Sequence, residues 1–187
     1  MKAVLGFLLA ACVAACSLPG PSEPDRYFIL EAGVAQDAKP RAGASLVVAA
    51  TTASSFYDTQ DIAYSRAPGT RAYYQFNRWT DRPQRSIHRQ IASRFEGGGP
   101  KSGLLLNTHL EEIYHDAAQE PGTARITIAA ELVDAASRAV LARRTFTRSA
   151  PATSYDAPGA VRGFNQALAT LVGDIEAWID SQQQRPR

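Results

Sequence analysis

Cysteine is almost missing from this 187-residue chain: there are two, Cys12 and Cys16, and both fall within the first sixteen positions. Whatever folds beyond them therefore has neither a disulfide nor thiol chemistry. An excess of one charge is missing too. Twenty basic residues face 18 acidic ones, a formal net charge of +2, far from the basic surplus of a dedicated nucleic-acid binder. After residue 15 no apolar run approaches the roughly 20 residues that span a bilayer, so the body is expected not to cross one. Gly-x-Ser-x-Gly, His-Glu-x-x-His and Cys-x-x-Cys signatures are also absent. What is present is ordinary globular material, 45% hydrophobic and 20% charged, in a length that suits one domain covering roughly two-thirds of its unfolded-chain surface.

The first residues have the layout of an export signal. Met1-Lys2 supplies a short positive start, residues 3–15 carry no charge, and small residues precede each cysteine. Val13-Ala14-Ala15-Cys16 resembles a bacterial lipobox, whose cysteine becomes lipidated. Leu9-Ala10-Ala11-Cys12 fits the same pattern, but cleavage there leaves a very short apolar region, so Cys16 is favoured. The alternative is an ordinary secretory signal with incidental cysteines. Removing residues 1–15 takes away Lys2 and no other charge, so the formal net charge falls from +2 to +1. Several acyl chains on one cysteine hold a protein firmly to a membrane, where a single chain holds only marginally. Ser17, not Asp, follows the cysteine, which is compatible with sorting to the outer membrane in enteric-type bacteria. Residues 17–25 (SLPGPSEPD) read as a stiff, solvated tether. The expected division is a signal peptide over 1–15, lipidated Cys16 and tether to 25, a folded domain over 26–181, and a frayed tail over 182–187.

Within the body, Tyr27-Phe28-Ile29-Leu30 and residues 45–50 (SLVVAA) read as strands, and Ile62–Arg66 with Arg71–Phe76 reads as a hairpin. A helix is predicted from the Trp79–Pro83 start to about Phe95, with Ile87, Ile91 and Phe95 on one stripe. Leu104–Tyr114, Arg125–Asp134 and Val140–Arg148 follow as three strands. From Pro158 to Ile179 the apolar residues Val161, Phe164, Leu168, Leu171, Ile175 and Trp178 step by 3 and 4, the stripe of a core helix. The fold class predicted is α+β: one mixed sheet of about six to seven strands with both amphipathic helices on one face.

Chemistry-bearing clusters are few. Lys101-Ser102 closes a glycine-rich stretch that faintly resembles a phosphate loop, but Pro100 removes an amide such a loop needs. His109, Glu111 and His115 would share one face of a regular strand, a weak metal-ligand possibility set against a polar outer face on an edge strand. His88 is expected on the exposed side of its helix. Arg82, Arg85 and Arg89 follow helical spacing and form a basic stripe flanked by Arg78 and Arg94, which suits phosphate headgroups, an acidic partner, or solvent alone.

Taken in order, Tyr27-Phe28-Ile29-Leu30, Ile62-Ala63-Tyr64-Ser65-Arg66, Asn77-Arg78-Trp79 and Pro83 leading into a helix resemble the auxiliary lipoproteins of ABC-type transport systems. The Pqi-type lipoprotein that works with MCE-domain proteins is the familiar member. The likeness covers most of residues 26–179, and Phe56-Tyr57 departs from it where members carry a more aliphatic segment. It implies a non-enzymatic envelope component without a cofactor, held at the outer membrane by lipid on Cys16 and facing the periplasm. It also implies an MCE-domain periplasmic protein with its ABC permease and ATPase as partners, no nucleic acid, and a homo-oligomer, since members can form rings. Arg78, Trp79, Arg82, Arg85 and Arg89 are the expected partner or headgroup contacts, with packing favoured for Trp79. Two other readings stay open: a lipoprotein that activates a cell-wall synthase or assists outer-membrane assembly, and an enzyme using the His109–His115 cluster.

Overall fold

The computed structural model describes residues 23–33, 46–95 and 103–184. Eight strands and two helices follow one another: β1 (Arg26–Phe28), β2 (Leu46–Val48), β3 (Thr52–Ala53), β4 (Asp61–Ser65), β5 (Ala72–Trp79), α1 (Pro83–Phe95), β6 (Leu104–Asp116), β7 (Thr123–Asp134), β8 (Val140–Pro151) and α2 (Ala157–Gln183). The strands join one mixed sheet in the order β1-β5-β4-β6-β7-β8. One side of β6 is taken along its length by antiparallel β7. Its other side is shared by three short parallel strands, β2 at its start, β3 in the middle and β4 at its end.

This is the predicted α+β architecture with one or two more strands than expected. Of the 45–50 run, residues 46–48 form a strand, and a separate two-residue strand follows at 52–53, each pairing with a different stretch of β6. The hairpin of β4 and β5 forms as expected, with a register shift between Asp61 and Ala63.

Both helices cover one face. The α2 stripe of Phe164, Leu168, Leu171 and Ile175 is fully buried against β7 and β8, and α1 lies against β2, β6 and α2. Close approach depends on Gly163, where a Cβ would stand 2.8 Å from that of Ala124 on β7. At the start of α2, Asp156 accepts from the Gly159 N–H at 2.8 Å and Pro158 occupies the first turn, which satisfies an otherwise orphan amide. The helix continues to Gln183, one turn past the apolar stripe, and takes in residues expected to fray. Among the described residues no helix is long and apolar enough to cross a membrane.

Candidate functional site

Arg78 and Trp79 close β5 and point to opposite faces, as strand alternation requires. Trp79 is 1% exposed and sits edge-on against Phe164 of α2 at 5.6 Å between ring centroids. Its backbone N–H donates to Gln60 at 2.6 Å, and the Gln60 amide donates back to the carbonyls of Trp79 and Thr80 at 3.3 and 3.0 Å. Arg78, on the helix-free face, pairs with Asp61 of β4 and lies 3.5 Å from Asp25, at the end of the tether. The pair of residues thus joins three strands to α2 and to the start of the body.

The arginine stripe forms on α1 and its approach, and carboxylates meet it. Arg82 pairs with Asp58 at 2.7 Å, Arg89 with Asp81 at 2.8 Å, and Arg85 lies 3.6 Å from Asp81. Asp81 also accepts from the Arg82 backbone N–H at 2.8 Å. The Arg89 guanidinium, then that amide and Arg85, hold the Asp81 carboxyl below the usual carboxylate range. Two aspartates therefore offset two of three positive charges. Spacing along the sequence finds the arginines and Asp81, four residues before Arg85, whereas Asp58 is brought in only by the fold. Arg94 pairs with Glu176 of α2 at 3.4 Å, binding the two helices together.

His109 and His115 do not share a face, because the ladder between β6 and β7 shifts register between Leu110 and Glu112. The bulge re-aims every later side chain of β6. His109 faces away from the helices, its ring nitrogens 2.7 Å from the Thr52 hydroxyl and 3.2 Å from that of Ser54. His115 faces the helix side and is fully buried. The cluster thus sits on a central strand with its members parted, not on the outer face of an edge strand. Among the described residues no group of three or more His, Cys, Asp or Glu side chains is placed to hold a metal ion. His88 is half-buried, with a buried Nδ1 that has no partner, instead of lying on the open side of α1.

The His115 enclosure was not anticipated. The Pro121 carbonyl, 3.0 Å away, can only accept, so Nε2 carries the proton. Bare Nδ1 then accepts from the Tyr74 hydroxyl at 2.6 Å. Burial pushes the Tyr74 phenol up to about 12, so it keeps its proton and remains a donor. Tyr155 stands edge-on to the imidazole at 6.1 Å and donates to the Ala117 carbonyl at 2.6 Å. Burial holds the imidazole pKa below its ordinary value, although the hydrogen bond to the Pro121 carbonyl, then Asp116 and Asp156, oppose this. Such a neutral, doubly bonded ring is a fastening for the 117–123 loop.

Cys12, Cys16 and Lys101-Ser102 lie outside the described residues. What the described body does present is a two-layer α+β module whose polar clusters fasten its own elements together. The chain belongs to the ABC-type transport auxiliary lipoprotein component family, whose model matches residues 27–176. In fold it is similar to a crystal structure of a Xanthomonas campestris protein, at a TM-score of 0.74 and 24% identity over 85% of this chain and 97% of that one. A second crystal structure, of an uncharacterized protein, aligns at a TM-score of 0.66 and 14% identity over 84% and 99%. No curated protein matches the chain in sequence.

Proposed function

We propose that this protein is a non-enzymatic, outer-membrane-anchored component of an MCE and ABC-type system that moves lipid or another hydrophobic compound between membranes. The single observation that carries the reading is the family match across residues 27–176, and the lipobox ending at Cys16 supports it. Acyl chains on Cys16 hold the body at the periplasmic side of the outer membrane, where it receives the end of a periplasmic MCE assembly. An inner-membrane permease and ATPase supply the energy. The division of labour asks nothing of this chain but binding. Its polar clusters serve that purpose: Arg78 and the Asp81 network fix strand ends and α1, keeping the docking body rigid.

An affinity pull-down from solubilised membranes, with mass spectrometry of proteins and lipids, tests the proposal. Recovery of an MCE-domain protein with its permease is the expected result. Recovery of a cell-wall synthase without any MCE protein overturns it.

A further inference from the structure

Tyr27 and Ile29 are the two most exposed large apolar side chains of the described body, at 59% and 58%. Between and beyond them, Phe28 packs on the core and Leu30 is buried, so the pair points away from the helices together. Tyr27 lies in β1 and Ile29 one residue past its end, at the edge of the sheet opposite β8. The register Tyr27↔Arg78 and Asp61↔Arg78 puts them on the face that also carries Tyr73, which stacks on Phe56 at 4.5 Å. Phe56 and Tyr73 are exposed as well.

The charges around this patch are spoken for. Arg26 pairs with Glu23 at 2.8 Å, and Arg78 with Asp25 and Asp61. An apolar edge with a tyrosine, its flanking arginines both paired, suits the headgroup–acyl boundary, where such side chains gather. Chain length places it there. Glu23 lies only seven residues past Cys16, and fully extended chain spans at most about 25 Å over that number. A tether this short raises the effective concentration of the β1 edge at the bilayer to the order of millimolar, so weak apolar contacts are occupied.

We propose that Tyr27 and Ile29 rest in the boundary region of the leaflet that holds the acyl chains, seating the sheet on the membrane by its β1 edge. The inference rests on lipidation of Cys16. It assigns the bilayer to one edge and leaves the β8 edge turned toward the periplasm.

The test uses mature lipidated protein in vesicles of phosphatidylethanolamine and phosphatidylglycerol. A fluorophore is attached at Tyr27→Cys, at Ile29→Cys, or at Thr145→Cys on exposed β8, and quenched with nitroxide-labelled lipid. Strong loss of fluorescence at 27 and 29, with none at 145, is expected. Unquenched labels at 27 and 29 on protein that floats with the vesicles overturn the seating alone, as do equal losses at all three positions. Protein that fails to float overturns the anchor, and the seating falls with it. In a lipid-free Cys16→Ser form, a blue-shifted label at 27 that reverts on dilution assigns the patch to a second copy and also overturns the proposal.

Discussion

Trp79 meets Phe164 edge-on, their ring planes at 67°, and through this contact the end of β5 is keyed to the first third of α2. Truncating a fully buried tryptophan removes its transfer free energy and leaves a cavity. Trp79→Ala is therefore expected to cost about 3–5 kcal/mol in urea unfolding. Its neighbour Arg78 is part-exposed and pairs at the surface, so Arg78→Ala is expected to cost about 1 kcal/mol or less. Equal losses for the two would contradict the opposed facing of adjacent residues. Loss of partner capture by Arg78→Ala at unchanged stability would mark it as a contact residue.

Gly122 has φ +86, and a Cβ there would stand 2.6 Å from the Asp116 carbonyl oxygen and nearer still to the His115 ring. Neither neighbour can yield, since one is backbone and the other is held at both ring nitrogens. Gly122→Ala is expected to destabilise by about 2 kcal/mol or more. Gly69, also at positive φ but with open space around it, is expected to lose less on the same change. Thermal denaturation of the two variants checks the difference.

The pH dependence of stability is expected to carry the mark of His115. Its folded-state pKa is lowered, so the unfolded chain binds the proton more readily. Stability is then complete above the unfolded value of about 6.5 and declines as pH falls below it toward the folded value. The aspartates behave differently. Asp81 and Asp156 are lowered in the folded state, chiefly by Arg89 and by Ser154, so their contribution persists until pH drops below about 4. Two separated declines should appear in a series of melting temperatures, and His115→Gln should remove the upper one. An unaltered upper decline in that variant would refute the assignment.

Asp81 serves Arg85, Arg89 and the Arg82 amide at once, whereas each arginine has one carboxylate. Asp81→Ala is expected to cost about 1 kcal/mol, and Arg85→Ala or Arg89→Ala singly about 0.5 kcal/mol or less. The larger loss should also shrink more in high salt. Urea titrations at two ionic strengths separate these outcomes.

Periodicity made the helices legible. The 3 and 4 spacing from Val161 to Trp178 declares a buried stripe whatever lies opposite, because it depends on one segment alone. The β4–β5 hairpin was legible for a similar reason, its partners being neighbours in sequence. Pairing of β2 and β3 with β6 was not, since more than fifty residues separate Leu46 from Leu104 and nothing local encodes the match. A single inserted residue on β6 hid the separation of His109 from His115, as a bulge leaves hydrophobic alternation almost untouched. The arginine spacing is legible in the sequence as a row, but its charge balance depends on Asp58, which the fold alone delivers.

The sheet has a temporal order written into it. β2 and β3 pair with β6, and β4 with both β5 and β6, a strand that follows α1 in the chain. Before β6 is made, β1, β4 and β5 can pair with one another, but β2 and β3 have no strand to dock on. Those two segments wait until residues 104–116 arrive, and β6 then joins them and the β1-β5-β4 ribbon to β7 and β8.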